Sequence, residues 1–410
     1  MNRLHSVQIM RGAAASLVVV DHAILRQAEW GTYAWTTQLT AMHMGAFGVH
    51  IFFVISGFIM VHTSYDSFGK GGAPSNFMAR RLARIVPLYW IATATELTLR
   101  AIKGAPIDPT KVLYSLLFIP QSVDPGPTAA IRPVLAVGWT LNYEMFFYVI
   151  FAVALLWERR IGIGVLVSTM LALVLGGTLL KPLTDTSDPI TTLTFWTNPT
   201  ILLFLAGALI AVAWKARSTA ARFITAYPLP ICAALIAWTV WIFAQELADL
   251  SATAYQVPLA WRLIFWTVCV ALVALCVFGR PVKVNWFTAP LIKLGDASYS
   301  IYLFHSFVVI ATEKVWWALD PPLPASVFLI AAFFTSVASG IVIHHLIETP
   351  IERWLRVRLI PARSRTGSGA SASPLPFSGN PHPSGDAGRA RTVLRPDRDF
   401  DEAAVWTDGR

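Results

Sequence analysis

Residues 45–64 read GAFGVHIFFVISGFIMVHTS, an apolar stretch of twenty residues without Lys, Arg, Asp or Glu. A helix that crosses a hydrocarbon core about 30 Å thick needs roughly 20 residues of this kind. Similar stretches recur along the chain, which is 55% hydrophobic and only 13% charged, whereas soluble domains carry about 25% charged residues. The sequence therefore predicts an all-α, polytopic membrane protein.

Apolar runs between charged loops predict about ten transmembrane helices. They lie near residues 7–26, 45–64, 84–102, 138–157, 162–180, 198–214, 228–246, 260–278, 294–313 and 325–347. A shorter apolar piece, KVLYSLLFIP at 111–120, is too brief to cross and is predicted to lie at the interface or to re-enter the fold. The first run resembles a signal peptide, but Asp21 and His22 interrupt it, so we interpret it as an uncleaved span.

The charges of the loops predict the orientation. Segments such as GKGGAPSNFMARRLAR, KARSTAAR and ERWLRVR are basic, whereas the loops KPLTDTSDPI and QELADLSATAYQ on the opposite side carry more acid than base. This asymmetry places both termini in the cytoplasm, in agreement with an even number of spans. The net charge of +9 lies in short loops and the tail rather than on one face, so it does not predict a nucleic-acid partner.

The composition changes sharply near the end of the chain. From Ser364 onward the sequence is rich in Ser, Gly and Pro and cannot bury enough apolar surface to fold. We therefore predict a transmembrane domain at residues 1–360 and a disordered cytoplasmic tail at 361–410.

Ionisable side chains at membrane depth are costly and are functional candidates by default. Arg11 and His22 share the first span and are separated by about 16 Å, on nearly the same helix face. His22, His50, Glu144 and His305 come from four spans and are predicted to lie at similar depth, near the outer side. This cluster indicates a proton-handling site. The alternatives are buried polar contacts between helices and, for Arg11, an anchor on the cytoplasmic side.

A second group of charged residues precedes the third span. Arg80, Arg81 and Arg84 lie in FMARRLARIVPLYW, close to the predicted depth of Arg11. Guanidinium groups bind phosphate in a bidentate way. For Arg80 and Arg81, a basic segment lying on anionic lipid is the alternative. Arg84 leads directly into the span, so we interpret it as a ligand contact.

Five motifs occur in the order typical of one family: RGAAASLVVVDH at 11–22, GVHIFFVISGF at 48–58, RRLARIVPLYW at 80–90, GWTLNYEMFFY at 138–148 and SYSIYLFH at 298–305. Together they resemble the acyltransferase 3 family of bacterial membrane proteins, especially the branch that modifies exopolysaccharides, O-antigens and Nod factors. The resemblance runs from residue 5 to about 355. It implies a cytoplasmic acyl-CoA donor, commonly acetyl-CoA, O-acylation of a carbohydrate or lipid-linked glycan, and a multi-pass protein of the inner (plasma) membrane.

The resemblance also implies roles for individual residues. It assigns the family's Arg-x10-His signature to Arg11 and His22, the third-helix arginines to Arg81 and Arg84, the fourth-helix acid to Glu144, and the later motif to Ser298, Tyr299 and His305. The three arginines are then expected to bind the donor phosphates, and His22, Glu144 and His305 to be catalytic, without a metal.

One position departs from the family pattern. The second-helix motif usually has an Asp before its IFF run, where this chain has His50. If that Asp normally orients or charges the catalytic histidine, then Asp21 or Glu144 must supply the carboxylate here. Otherwise the activity is altered or lost.

We expect His22 to act as a general base or to accept the acyl group transiently, with Glu144 holding its tautomer. His305 is expected to polarise the thioester carbonyl or to bind the sugar. The sequence contains no GxSxG and no HExxH, which argues against a hydrolase-type serine and a zinc site. Two other functions stay open, namely a proton-coupled transporter or flippase for a glycan or lipid, and a non-catalytic scaffold of polysaccharide assembly. The sequence does not specify the acyl group, the acceptor hydroxyl or the oligomeric state.

Overall fold

A computed structural model of the chain describes residues 3–30, 35–121, 133–180, 195–216, 259–319 and 324–359. All regular structure within these ranges is helical, which confirms the all-α class. All of the described residues belong to one compact unit, Met1–Ala362. The predicted tail and the predicted span at 228–246 fall outside them, so both stay predictions.

The helices are numbered here in chain order. They are α1 (Arg3–Ala28), α2 (Trp35–Ser64), α3 (Ala73–Ile102), α4 (Pro109–Leu116), α5 (Trp139–Ala154), α6 (Arg159–Leu180), α7 (Leu202–Lys215), α8 (Leu259–Phe278), α9 (Thr288–Asp296), α10 (Ser298–Leu319), α11 (Ala325–Ile343) and α12 (Thr349–Leu359). Short 3-10 turns precede α5 and α7, and a π-helical turn, His344–Glu348, joins α11 to α12.

Five helical stretches in the described ranges are long and apolar enough to cross a membrane: His5–Ala28, His43–Ser64, Ala136–Ala154, Arg159–Leu179 and Ser326–Leu359. The pair α9 and α10 adds a sixth if it is counted as one bent span. These stretches identify a membrane protein. The short predicted segment at 111–120 contains α4, whose eight residues are too few to cross.

Two predicted spans differ from the structure in ways that affect the site. The third was predicted to begin at 84, but α3 begins at Ala73, after Gly72 in the left-handed region (φ 75°) and with a proline in its first turn. The arginines therefore lie inside a helix rather than before it. The ninth span, 294–313, contains a break, because α9 and α10 meet at an angle of 75°. A Cβ at Gly295 would lie 1.9 Å from the carbonyl oxygen of Gln8, so this glycine lets α9 lie against α1 where the chain turns.

Helix α1 is central, since it packs against α2, α8, α9, α10 and α11. Two polar contacts near its C-terminal end fix it to α10. Arg26 Nε donates to Glu313 at 2.6 Å, and Trp30 Nε1 donates to the same carboxylate at 2.7 Å. These contacts set the register between α1 and α10, the two helices that carry His22 and His305.

Helix α2 is held by a close backbone contact with α7. A Cβ at Gly57 would lie 1.9 Å from the Phe204 carbonyl oxygen, and a Cβ at Gly207 would lie 1.9 Å from the Val54 carbonyl oxygen. Small residues permit this approach between membrane helices. Phe53 and Phe204 stack beside it with ring centroids 4.5 Å apart. The glycines therefore determine where α2 places its other side chains.

We expect Gly207→Ala to lower the melting temperature of the purified protein, because the added methyl group must separate α2 from α7. Overpacking of this kind costs about 1–3 kcal/mol. Gly176→Ala in α6 is the matched control, because no atom lies within 4 Å of a Cβ at that position. Equal melting temperatures for the two variants would contradict the close contact.

Candidate active site

A partly open cavity of about 100 Å³ lies between α1, α2, α3, α5 and α10. Its walls combine charged residues with aromatic and aliphatic ones. The polar and charged residues that line it are Arg11, Ser56, Arg81, Arg84, Thr140, Glu144, Tyr148, Ser298, Tyr299 and Tyr302. The structure thus brings together the three arginines predicted to bind the donor, although they come from two helices far apart in sequence. We call this space the arginine cavity.

The guanidinium groups in the arginine cavity form few hydrogen bonds with the described residues. Arg11 Nη1 donates to Gln8 Oε1 at 3.1 Å, and Arg81 Nη2 reaches Thr63 Oγ1 at 3.5 Å. Arg84 forms no hydrogen bond or ion pair with any residue that the structure describes. Since each guanidinium carries five N–H donors, the cavity offers many free donors to an anion.

Glu144 lies among these arginines rather than beside His22. Its Oε1 accepts hydrogen bonds from Ser56 Oγ, at 2.6 Å, and from the Tyr148 hydroxyl. Its charge also interacts with Arg81. The expectation that Glu144 holds the tautomer of His22 is therefore not what the structure shows. This carboxylate lies where α5 faces α2 and α3, in the same cavity as the three arginines.

The two predicted histidines form a contact pair. The rings of His22 and His305 meet edge to face with centroids 4.7 Å apart. Each Nδ1 faces a backbone carbonyl oxygen, of Val18 at 3.0 Å and of Tyr302 at 2.7 Å. A carbonyl only accepts, so each neutral ring carries its proton on Nδ1 and its lone pair on Nε2. His305 is fully buried and the His22 side chain is 39% exposed, so His22 is the more exposed of the two.

A carboxylate does lie beside His22, and it belongs to Asp21. Its Oδ2 is 3.3 Å from His22 Nδ1. The residue is 5% exposed, and its Oδ1 has no hydrogen-bond partner among the described residues. Of the two alternatives that the sequence left open, the structure places Asp21 at the imidazole. His50 lies elsewhere, with its ring 5.7 Å from that of Phe265.

Tyr302 connects the arginine cavity to the histidine pair. Its side chain lines the cavity, and its hydroxyl donates to the Val137 carbonyl oxygen at 2.9 Å and contacts Thr140 Oγ1 at 2.8 Å. Its own carbonyl oxygen holds His305 Nδ1. Sequence reasoning did not single out this residue. The indication was present, because Tyr302 lies one helical turn after Tyr299 and three residues before His305.

Ser56 and Tyr148 were also missed as partners of Glu144. Both occur in the motifs quoted above, Ser56 in the second and Tyr148 at the end of the fourth, but neither was assigned a role. Tyr148 lies four residues after Glu144, a spacing that places both on one helix face. Ser56 could not have been paired with Glu144 from the sequence, because the two residues are 88 positions apart on different helices.

The arrangement suits an elongated substrate with an anionic end. The arginine cavity supplies donors for phosphate, and the histidine pair supplies a base farther along α1. Arg11 and His22 are separated by about 16 Å along the helix. A ligand that contacts both must therefore combine an anionic group with a long arm that carries its reactive atom.

Comparison with known proteins gives three relatives and one family. The acyltransferase domain of the acyltransferase 3 family matches residues 4–345. The "Exopolysaccharide production protein ExoZ" of Rhizobium meliloti is 35% identical over 327 residues, covering 78% of this chain and 93% of that protein. "Nodulation protein 10" of Rhizobium leguminosarum bv. viciae is 27% identical over 338 residues, covering 76% and 85%. "Acyltransferase MdmB" of Streptomyces mycarofaciens is 29% identical over 166 residues, covering 39% and 40%. No solved structure matches significantly.

We expect a cysteine placed in the arginine cavity to react faster with an anionic thiol reagent than with a cationic one. Ile59 lines the cavity, so Ile59→Cys in a cysteine-free background is the variant to measure. Charge focusing by the arginines should give a rate ratio of about tenfold or more. Ile107→Cys, at a 43% exposed position between α3 and α4, should show a ratio near one. Equal rates at position 59 would contradict the electropositive cavity.

Proposed function

The chain belongs to the acyltransferase 3 family and is a membrane acyltransferase, and we propose that it moves an acyl group from acyl-CoA to a carbohydrate hydroxyl. Acetyl-CoA is the first donor to test. The acceptor is an exopolysaccharide or a related cell-envelope or exported glycan, in polymeric or lipid-linked form. The names of the two rhizobial relatives support this choice of acceptor, since one concerns exopolysaccharide production and the other nodulation.

The observation that carries the proposal is the convergence of three sparsely bonded arginines in one cavity that Tyr302 links to a histidine pair. Arg11, Arg81 and Arg84 would bind the phosphates of CoA, because guanidinium groups are suited to bidentate phosphate contacts. The pantetheine arm would then extend along α1 and carry the thioester toward His22. This direction follows from the positions of Arg11 and His22 on nearly the same face of one helix.

In the chemical step, His22 Nε2 removes the proton of the acceptor hydroxyl while the oxygen attacks the thioester carbonyl carbon. The new C–O bond forms, the C–S bond breaks, and the CoA sulfur leaves with the proton that His22 returns. Asp21, beside Nδ1, stabilises the transient imidazolium, as a carboxylate does in a catalytic triad. His305 contacts His22 from the buried side, and its Nε2 lone pair is suited to accept a hydrogen bond from a sugar hydroxyl, since its N–H is already donated to the Tyr302 carbonyl oxygen. An acyl group carried briefly by His22 is the alternative route.

Glu144 has a different role in this proposal from the one that the sequence indicated. Its contacts with Ser56 and Tyr148 place its charge among the donor-binding arginines. We therefore assign it to the arginine cavity, where it spaces and orients the guanidinium groups.

The basic loops support a topology of ten spans in the inner membrane, with both termini in the cytoplasm. The arginine cavity then faces the compartment that holds acyl-CoA.

Replacing His22 tests the function directly. We expect purified wild-type protein in liposomes to transfer label from acetyl-labelled acetyl-CoA to cell-envelope glycans, and His22→Ala to reduce transfer by at least 100-fold, since general bases contribute about 10²–10⁴. His345→Ala, at an exposed position, should retain activity. Mass spectrometry of the glycan locates the label. Glycan transport without label transfer would favour a transporter instead.

Replacing Arg84 tests the donor site. We expect Arg84→Ala to raise the KM for acyl-CoA by about tenfold or more with a smaller change in kcat, because a charge-assisted phosphate contact contributes about 1.5–3 kcal/mol. Lys103→Ala removes an exposed cation just after the end of the same helix and should leave the KM unchanged. An unaltered KM in Arg84→Ala would remove Arg84 from the donor site.

A further inference from the structure

The walls of the arginine cavity carry more positive than negative charge. Arg11, Arg81 and Arg84 line it, whereas Glu144 is the one carboxylate among the residues that line it. Buried charge is costly when nothing compensates it. In the empty protein, part of the compensation must therefore come from groups behind the walls.

Glu348 lies in that position. It ends the π-helical turn between α11 and α12 and is 4% exposed. Its Oε2 accepts a hydrogen bond from Ser300 Oγ at 2.5 Å and contacts His344 Nδ1 at 2.9 Å. Ser300 follows Tyr299, a residue of the cavity wall. π-Turns are rare in proteins and occur frequently at functional sites.

The charge of Glu348 acts on the arginines, although its carboxylate does not bind their N–H donors. Its carboxylate interacts electrostatically with Arg84 and with Arg11. Within the described part of the chain, it forms no hydrogen bond or ion pair with either of them. The charge of Glu352 acts on Arg84 more strongly than that of Glu348 does, but the Glu352 carboxylate is paired with Arg356 at 2.5 Å. The direct partners of Glu348 are the Ser300 hydroxyl and the His344 imidazole, and its charge acts on both Arg84 and Arg11.

We propose that Glu348 is the counter-charge of the arginine cavity and sets its affinity for anions. In the empty protein its carboxylate compensates Arg84 and Arg11 while leaving their N–H donors free. A bound anion takes over that compensation, and the nearby negative charge then limits how tightly the anion is held. The inference rests on the proposed function only in taking the phosphates of CoA as the natural anion. Glu348 is a positioning residue, because it acts through the arginines and does not contact the ligand.

Neutralising Glu348 should therefore have two opposite effects. We expect Glu348→Gln to lower the melting temperature of the empty, detergent-purified protein, because Arg84 and the buried Arg11 lose a counter-charge. We also expect it to bind inorganic pyrophosphate about three- to tenfold more tightly than wild type, because the local potential becomes more positive. Pyrophosphate should then raise the melting temperature of this variant more than that of wild type. A purely structural role predicts weaker binding.

Three further variants separate charge from shape. Glu348→Asp keeps the charge and should bind pyrophosphate like wild type. Glu96→Gln removes a carboxylate paired with Arg100 at 2.7 Å, near the other end of α3, and should not change the pyrophosphate response. If Glu348→Gln is too unstable to purify, we expect the double variant with Arg84→Gln to be stable enough, because it removes both charges of the interaction. A double variant less stable than Glu348→Gln would contradict the proposal.

The outcomes also separate this inference from the proposed function. Equal or weaker pyrophosphate binding by Glu348→Gln would overturn the counter-charge, as would a wild-type protein whose melting temperature does not respond to pyrophosphate. A wild-type protein that responds to pyrophosphate but not to CoA would overturn the proposed donor and leave the counter-charge intact. Stronger responses of Glu348→Gln to both ligands would support both.

Discussion

The polar face of α1 is the constraint on which the rest of the structure depends. Arg11, Asp21, His22 and Arg26 all lie on a helix that packs against five others. Each of these side chains needs a partner from its own helix or a neighbour. Gln8, Val18 and Glu313 meet part of that need. The positions of α1, α2 and α10 therefore follow from polar requirements as much as from apolar packing.

This constraint divides the site into two connected parts. Positive charge gathers at one part of the α1 face, where α3 brings Arg81 and Arg84 against Arg11. Imidazole chemistry lies at the other part, where α10 brings His305 against His22. Tyr302 is shared by both, through its ring and its carbonyl oxygen. The residues that would bind an anion and those that orient the base are therefore linked through Tyr302.

The all-α membrane class could be predicted from the sequence, because long apolar stretches are a strong local pattern. The residues at the two parts of the site could be predicted as well, since ionisable groups within apolar helices are uncommon. Which of these side chains contact one another could not be predicted. Glu144 was expected at His22, yet its carboxylate meets Ser56 and Tyr148, because pairing depends on helix rotation and depth that hydropathy does not specify. The bend between α9 and α10 was missed for a similar reason, since its cause is the contact of Gly295 with the backbone of another helix.

The packing of Asp21 has a consequence for how this chain can diverge. A Cβ at Gly45 would lie 2.0 Å from Asp21 Oδ2, so the carboxylate occupies the volume that a side chain on α2 would need. Positions 21 and 45 are therefore sterically coupled. A larger residue at 45 would require the Asp21 side chain to move, and with it the acid beside His22.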